Sequence, residues 1–198
     1  MRWDPPNRTR AFEFARLRWL AGSTPVSVAS DRSEHAVRTI SSLLAERPDV
    51  VVFDFLHSAV NAPREFSVPA VMFTHNVEAE IFARHAQVAA NPLKRAIWIR
   101  EHAKMRRYEA RALRRFDRVV AVSARDAGRF GSEYGVRHSR VIPTGVDLDY
   151  FTWTEPPASD ICVFVGSMDW LANVDAMTYF MDEEWPRVAA ARPYARIA

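Results

Sequence analysis

The sequence predicts an α/β fold built around a parallel sheet with helices on both faces. Short apolar runs rich in β-branched residues alternate with segments whose apolar residues recur every three or four positions. The runs are typical of strands buried on both faces, and the segments are typical of amphipathic helices. Their alternation along the chain favours strands joined through helices, which is the connection that parallel strands require.

The first ninety residues predict three helices and two strands. Ser33 is placed to cap the second helix, and Pro48 prevents that helix from continuing. The two strands are the apolar runs VVVFDF and VPAVMFT, and polar residues follow each of them. The predicted helices cover about 9–20, 33–46 and 77–85, and the predicted strands cover 50–55 and 68–74.

The rest of the chain continues the alternation. Asn91 followed by Pro92 is a cap with proline at the first helical position, and it opens a long basic helix. Ser123 is placed to cap a later helix that Gly135 ends, and a kink is expected at Pro186 in the last helix. The predicted helices cover about 91–116, 124–134 and 174–190, and the predicted strands cover 117–122, 140–143, 161–165 and 195–198, with 166–173 as a loop.

Composition excludes several classes of protein. Of 198 residues, 48% are hydrophobic and 26% are charged, as in an ordinary globular protein. The single cysteine, Cys162, excludes an intramolecular disulfide and a cysteine-based zinc site, and its apolar surroundings predict an inert core thiol. No apolar run approaches the ~20 residues of a membrane span, and the N-terminus lacks the apolar core of a signal peptide. We therefore expect a cytoplasmic protein.

Positive charge is concentrated in one segment. Between Lys94 and Arg118 there are ten basic and three acidic residues, a net charge of +7, so the remainder carries −4 of the formal total of +3. Such a segment suits an anionic partner, and a peripheral position at the inner face of an anionic membrane is one interpretation. A solvated helix face accounts for it equally well. No nucleic-acid-reading motif accompanies the charge, so we expect no nucleic-acid partner.

Candidate functional residues follow the predicted strands, because ligands of open parallel sheets bind outside the carboxyl ends of the strands. His75 is the strongest candidate, since a polar pair with Asn76 comes directly after a strand and acids follow. The alternative is that His75 and Asn76 only satisfy loop backbone. Asp54 and His57 follow the preceding strand, where a hydrogen-bonded turn is the favoured interpretation.

Recognised phosphate and nucleophile motifs are missing from the sequence. There is no G-x-G-x-x-G, no Walker A motif and no G-x-S-x-G, which argues against dinucleotide oxidoreductases, P-loop ATPases and hydrolases of the elbow type. Gly166 and Ser167 stand between a strand and a helix, where small residues let backbone N–H groups approach a phosphate. One glycine is a weak signal.

Four segments taken together resemble family 4 glycosyltransferases of the GT-B fold. They are THNVEAEIF at 74–82, YEARALRRFDRVVAVSARD at 108–126, VIPTGVDLDYF at 141–151 and FVGSMDWLANVDAM at 164–177. The resemblance runs from about Thr39 to the end of the chain. It is most similar to a bacterial subgroup in which the second domain opens with G-S-M-D-W.

The resemblance implies two Rossmann-like domains with parallel sheets, an acceptor-side domain over 1–151 and the start of a nucleotide-sugar domain over 161–198, joined by a linker over 152–160. It implies transfer of a sugar from a nucleotide-diphosphate donor, with retention of anomeric configuration, to a surface polysaccharide or glycolipid acceptor. Neither a metal nor a cofactor is implied. The Gly-rich first strand and the acidic E-x7-E element of such enzymes have no counterpart here, so we expect a central fragment with both domains incomplete and no turnover on its own.

The resemblance also implies roles for individual residues. His75 corresponds to the histidine beside the transferred sugar. Donor phosphates are assigned to Gly166, Ser167, Met168 and Asn173, although Ser167 and Asn173 stand near the places where many relatives carry arginine and lysine. The acceptor and cleft residues are Asp54, His57, Asn76, Glu78, Thr144, Gly145 and Asp147. The alternative function is a nonenzymatic nucleotide- or phosphate-binding module.

Overall fold

The structure is a computed structural model that describes residues 10–155, 159–169 and 171–198. Thr9 of the first predicted helix, residues 156–158 of the predicted linker and Trp170 of the G-S-M-D-W segment lie outside the described residues. The chain divides into two units between Gly145 and Val146.

Helices and strands follow one another in the predicted order, and the first unit has two additional short helices. In the first unit they are α1 (Arg10–Ala21), α2 (Val26–Ser30), α3 (Glu34–Ala45), β1 (Val51–Asp54), a 3-10 helix (Leu56–Val60), β2 (Ala70–Thr74), α4 (Glu78–Val88), α5 (Pro92–Leu113), β3 (Arg118–Ala121), α6 (Ala124–Tyr134) and β4 (Ser139–Val141). In the second they are β5 (Ile161–Cys162), α7 (Leu171–Tyr179), a π-helical turn (Phe180–Glu184), α8 (Trp185–Ala191) and β6 (Arg196–Ile197).

The first unit contains a four-stranded sheet in the order β1-β2-β3-β4, and every neighbouring pair is parallel. Asp54 lies opposite Phe73, and Thr74 lies opposite Ala121. The predicted α/β fold with parallel strands is therefore confirmed. The residues that follow each strand share one edge of the sheet.

The core lies around the two central strands. Met72 of β2 and Val119 of β3 are fully buried, with Met105 and Leu113 of α5 and Phe130 of α6 packed in the same cluster. Burial of such side chains contributes about 1.5–3 kcal/mol each.

The expectation that the strand at 50–55 is buried on both faces is wrong. Val52 of β1 is 59% exposed, whereas Phe53 on the opposite face is buried. β1 is an outermost strand of the described sheet, and only one of its faces packs against the core cluster.

Caps determine where the helices begin and end. The Ser33 hydroxyl accepts a hydrogen bond from the Ala36 N–H, and the Ser123 hydroxyl accepts one from the Asp126 N–H. The Asn91 side chain accepts the N–H groups of the first turn of α5. Gly135 ends α6 at φ +69°, a left-handed conformation that favours glycine. These four predicted caps are confirmed.

Two cations of α5 bind the C-terminal end of α1. Arg100 donates to the carbonyl oxygens of Leu20 and Ala21, and Lys104 donates to those of Trp19 and Leu20. Carbonyls at a helix C-terminus lack intrahelical partners, and cations there also oppose the helix dipole. Part of the positive segment is therefore committed to holding α1.

The second unit departs from prediction in three places. The strand at 161–165 is only two residues long, and α7 begins at Leu171, inside the predicted loop. The irregularity expected at Pro186 is a π-helical turn just before it, where the Trp185 N–H bonds to the Phe180 oxygen. Proline lacks an N–H and its ring crowds the preceding turn, so the helix widens there.

Cys162 is exposed on this short two-stranded sheet, so the expectation of a core thiol is wrong. None of the helices in the described ranges combines the length and the apolar character needed to cross a bilayer.

Candidate functional site

Two histidine–carboxylate pairs lie where β1 and β2 end. His75 pairs with Asp54, and His57 pairs with Asp31 and approaches Glu78. Because β1 and β2 are adjacent and parallel, their carboxyl ends meet at one edge of the sheet. The structure therefore brings together four of the residues singled out from the sequence, Asp54, His57, His75 and Glu78.

The pair of His75 and Asp54 is the more accessible one. The Nε2 atom of His75 lies 2.7 Å from Oδ1 of Asp54, so the imidazole N–H donates to the carboxylate. This bond fixes the orientation of the ring and leaves Nδ1 free of it. When the ring is neutral, the hydrogen-bonded pair carries one net negative charge.

Phe55 separates the two pairs and has an unusual backbone conformation. Its φ is +70°, a region that a bulky residue seldom occupies and that costs about 1–3 kcal/mol. Its ring centroid lies 5.3 Å from that of His57 and 5.9 Å from that of His75. The unfavourable conformation thus places an aromatic ring between the two histidines.

The second pair is largely buried. The Nδ1 atom of His57 lies 2.8 Å from Oδ2 of Asp31, and its Nε2 atom lies 3.7 Å from Oε2 of Glu78. That Nε2 atom is buried and makes no hydrogen bond among the described residues. Burial raises the pKa of Glu78, while His57 and a hydrogen bond from the Asn76 side chain oppose the rise.

Glu109 of α5 holds the segment that carries these groups. Val77 at the N-cap of α4 makes no side-chain capping hydrogen bond. The Glu109 carboxylate caps the helix instead, because it accepts hydrogen bonds from the N–H groups of Glu78 at 2.8 Å and Ala79 at 3.1 Å. The Tyr134 hydroxyl donates to the same carboxylate at 3.0 Å. A residue from a different helix therefore fixes the start of α4.

Burial makes the carboxyl group of Glu109 a weaker acid than an ordinary glutamate. Its side chain is fully buried, and desolvation raises its pKa to about 7, although hydrogen bonds from Ala79, Glu78 and Tyr134 oppose the rise. The nearby carboxylate of Glu78 raises it further. Desolvation and the proximity of Glu109 in turn raise the pKa of Tyr134.

The other predicted residues of the first unit lie at the same sheet edge but make fewer contacts. Asn76 is exposed beside His75, and Thr144 and Gly145 are exposed in the coil that follows β4. A Cβ at Gly145 would meet no atom within 4 Å, so the described structure does not require glycine there. Ser123 serves as the cap of α6.

In the second unit, Gly166 lies in a crowded turn. A Cβ at this position would come within 2.6 Å of the Phe164 ring and 2.9 Å of the Asn173 amide nitrogen, so only glycine fits without rearrangement. The Asn173 amide donates to the Ser167 carbonyl at 2.8 Å, and the Ser167 hydroxyl donates to Asp169. Ser167 and Asn173, which stand near the positions where many relatives carry arginine and lysine, therefore both bond within the turn.

Met168 is exposed in the same turn, and Asp147 forms a turn of its own. The Asp147 carboxylate accepts the N–H groups of Asp149 and Tyr150, each at 3.0 Å. Across the described ranges, no group of three or more His, Cys, Asp or Glu side chains has the arrangement of a metal site.

Comparison with known proteins identifies the family. The sequence model of Glycosyltransferase Family 4 matches residues 6–150, which include the whole four-stranded sheet and both histidine pairs. The chain belongs to glycosyltransferase family 4. Searches of curated proteins and of solved structures returned no match.

Family membership confirms part of the resemblance. A family 4 glycosyltransferase domain spans the matched region, and a transferase acting on a sugar donor and an acceptor follows from it. The matched region ends before Gly166, so the assignment of residues 166–168 and Asn173 to the donor rests on the sequence resemblance alone.

Sequence reasoning missed Asp31, Phe55, Glu109 and Tyr134 in this family 4 chain. In the sequence, Glu109 is one of the three acids of the basic segment. Its spacing from Met105 and Ala112 places it on the buried side of α5, and a carboxylate on an apolar helix stripe indicates a buried partner. That signal was present in the sequence, whereas nothing local marks Phe55 or Asp31.

Proposed function

We propose that the protein is a retaining glycosyltransferase that moves a sugar from a nucleotide-diphosphate donor to a surface polysaccharide or glycolipid acceptor. Family membership supports the transfer of a sugar. The observation that carries the finer assignment is the hydrogen bond between His75 and Asp54 at the carboxyl edge of the sheet. Neither a cofactor nor a metal is part of the proposal, and the nucleotide-sugar is a substrate.

His75 is proposed to act beside the transferred sugar. As the bond to the leaving diphosphate lengthens, positive charge develops at the anomeric carbon. When the His75 ring is neutral, its pair with the Asp54 carboxylate carries a net negative charge, and the oxygen of the His75 backbone carbonyl carries a partial negative charge. A fixed negative group stabilises the transition state more than the ground state, which is the condition for faster chemistry.

His57, Asn76 and Glu78 are proposed to bind the acceptor. Asn76 is exposed and offers an amide to sugar hydroxyls. Glu78 is buried, and burial raises the pKa of its carboxyl group above the ordinary value. Thr144, Gly145 and Asp147 are proposed to border the same cleft in the assembled enzyme.

Gly166, Ser167, Met168 and Asn173 are proposed to bind the donor diphosphate. The absence of a Cβ at Gly166 allows the tight turn, and Asn173 holds that turn by bonding to Ser167. Because these two polar side chains are engaged locally, we propose that the diphosphate is bound through backbone N–H groups rather than by an arginine and lysine pair.

The direct test is acceptor-dependent release of nucleoside diphosphate. Protein expressed from the complete coding region is incubated with a panel of nucleotide-sugars and with lipid-linked or polysaccharide acceptors, and the anomeric configuration of the product is determined by NMR. Release with one donor and a retained configuration would support the proposal. Donor binding without release for any acceptor would favour a nonenzymatic nucleotide-binding module, and an inverted product would contradict the retaining mechanism.

We also propose that the enzyme works on the cytoplasmic side of a membrane and associates peripherally with an anionic inner face. The positive segment between Lys94 and Arg118 motivates this proposal.

A further inference from the structure

The hairpin formed by α4 and α5 extends well away from the histidine site. The two helices pack antiparallel, with Glu109 against the start of α4 and Trp98 stacked on His85 near its end, at 4.5 Å between ring centroids. At 1.5 Å per residue, the start of α5 lies roughly 26 Å along the helix from Glu109. We call residues 88–95 the hairpin tip.

Large apolar side chains are exposed at the hairpin tip. Val88 at the end of α4 is 78% exposed, and Leu93 in the first turn of α5 is 71% exposed. Asn91 and Pro92 join them in a capped turn, because the Asn91 side chain accepts the N–H groups of Leu93 and Lys94. A short connection of this kind presents the two apolar side chains on a pre-ordered turn, at little cost in conformational entropy on binding.

The charge around these apolar residues has one sign. From Ile81 to Arg100 the sequence contains no Asp or Glu, whereas Arg84, Lys94 and Arg95 accompany the hairpin tip. Lys94 and Arg95 are exposed. Apolar side chains bordered only by cations match a surface whose headgroups are anionic and whose interior is apolar.

The cationic character continues along α5. Arg106, Arg107, Arg111 and Arg114 border a groove of about 520 Å³, in which Ala103 and Ala110 leave room between them. Arg107, Arg111 and Arg114 follow Leu93 at spacings that keep them on one face of the helix. Arg100 and Lys104 bond to carbonyls of α1, whereas these arginines border the groove, which Glu133 and Tyr134 of α6 also line.

We propose that the hairpin tip is a membrane-docking surface that inserts Val88 and Leu93 into the interfacial region of an anionic bilayer. Lys94 and Arg95 contact the lipid phosphates. An acidic protein would satisfy the cations, but two protruding apolar side chains on a convex turn suit the interior of a bilayer better than the surface of an acidic protein. The inference adds a specific site to the proposed peripheral location, and it does not depend on the glycosyl transfer reaction.

Vesicle binding tests the proposal directly. The purified protein is sedimented with phosphatidylcholine vesicles with and without about 30% phosphatidylglycerol, at low and high salt. We expect binding only with the anionic lipid, weakened by salt, and reduced roughly tenfold or more by Val88→Ser with Leu93→Ser and by Lys94→Glu with Arg95→Glu. Leu43→Ser on α3 and Arg64→Glu, which change an exposed leucine and an exposed arginine elsewhere, are matched controls expected to bind like the parent.

Insertion is separated from adsorption by a polarity-sensitive probe. An NBD fluorophore is attached to Leu93→Cys or, as a control, to Leu43→Cys, each in a Cys162→Ser background. We expect a blue shift and increased emission on anionic vesicles at position 93 only. Equal responses at both positions, unchanged binding of the Val88→Ser, Leu93→Ser variant, or self-association through the tip in place of vesicle binding would overturn the proposal.

Activity measurements keep this inference distinct from the proposed reaction. These measurements use protein expressed from the complete coding region, in which the Val88→Ser, Leu93→Ser variant should release nucleoside diphosphate at the parental rate with a water-soluble acceptor. Absence of vesicle binding by the parent would contradict the docking surface alone, whereas absence of diphosphate release by a parent that binds vesicles would contradict the proposed function alone.

Discussion

Ionisation of Glu109 should make the stability of the protein fall as pH rises through neutrality. Burial raises the pKa of this carboxyl group from 4.5 to about 7, so between these values the folded state binds a proton that the unfolded state releases. A carboxyl whose pKa is raised in the folded state stabilises the fold fully below 4.5, and this stabilisation is lost as pH rises through 7. The full difference corresponds to about 3 kcal/mol, and the part between pH 5.5 and 8 corresponds to about 2 kcal/mol.

Urea unfolding at pH 5.5 and pH 8 measures this contribution. Urea is preferred to guanidinium because guanidinium is itself a salt and screens charges. Glu109→Gln, which cannot ionise, should lose about 2 kcal/mol of the pH dependence, although it is less stable than the parent because the amide supplies only one acceptor oxygen for the two N–H groups of α4. Glu78, whose pKa is also raised, contributes a slope of the same sign that remains in the variant.

Glu133→Gln is the matched control. Glu133 lies on α6 within reach of Arg129, and the Arg129 hydrogen bond lowers its pKa, so it stays ionised throughout this pH range. The control should therefore keep the parental slope. Equal pH dependence of the parent and Glu109→Gln would refute the assignment of a raised pKa to Glu109.

Three further substitutions test individual contacts. Tyr134→Phe removes a hydrogen bond to the Glu109 carboxylate and should lower the free energy of unfolding at pH 8 by about 1–3 kcal/mol. The control Tyr108→Phe removes a buried hydroxyl that has no partner among the described residues, so it should be neutral or stabilising. Urea unfolding compares the two variants, and equal losses of stability would count against the contact between Tyr134 and Glu109. Lys104→Met leaves the Glu101 carboxylate buried without its cation and should cost about 3–5 kcal/mol, against a negligible change for exposed Lys94→Met. Asp54→Asn should lower kcat at least tenfold, because the pair of His75 and Asp54 loses its negative charge. The melting temperature should change little, because the exposed position tolerates the amide. An unchanged kcat would exclude an electrostatic role for Asp54.

Local sequence signals predicted the fold well because each acts within a few residues. The caps at Ser33, Asn91 and Ser123 and the left-handed Gly135 follow from side chains that bond to their own turn. The exposed face of β1 could not be predicted, because an apolar run looks the same whether one or both faces are covered, and Val52 shows that coverage is a property of the whole sheet.

The histidine site was predictable in part. The rule that ligands bind at the carboxyl ends of strands selected Asp54, His57, His75 and Glu78, and the structure places them together. The partners that orient them come from distant parts of the chain. Asp31 reaches His57 across 26 residues, and Glu109 reaches Glu78 across 31, so no local pattern could have paired them.

The most direct test of the proposed mechanism is kcat for the His75→Ala variant in protein expressed from the complete coding region. The control is His35→Ala, which changes an exposed histidine of α3. If His75 stabilises charge on the transferred sugar, kcat should fall roughly 10²-fold or more while the melting temperature and donor affinity change little, and the control should match the parent. A His75→Ala enzyme whose kcat per folded molecule equals that of the parent would contradict the mechanism.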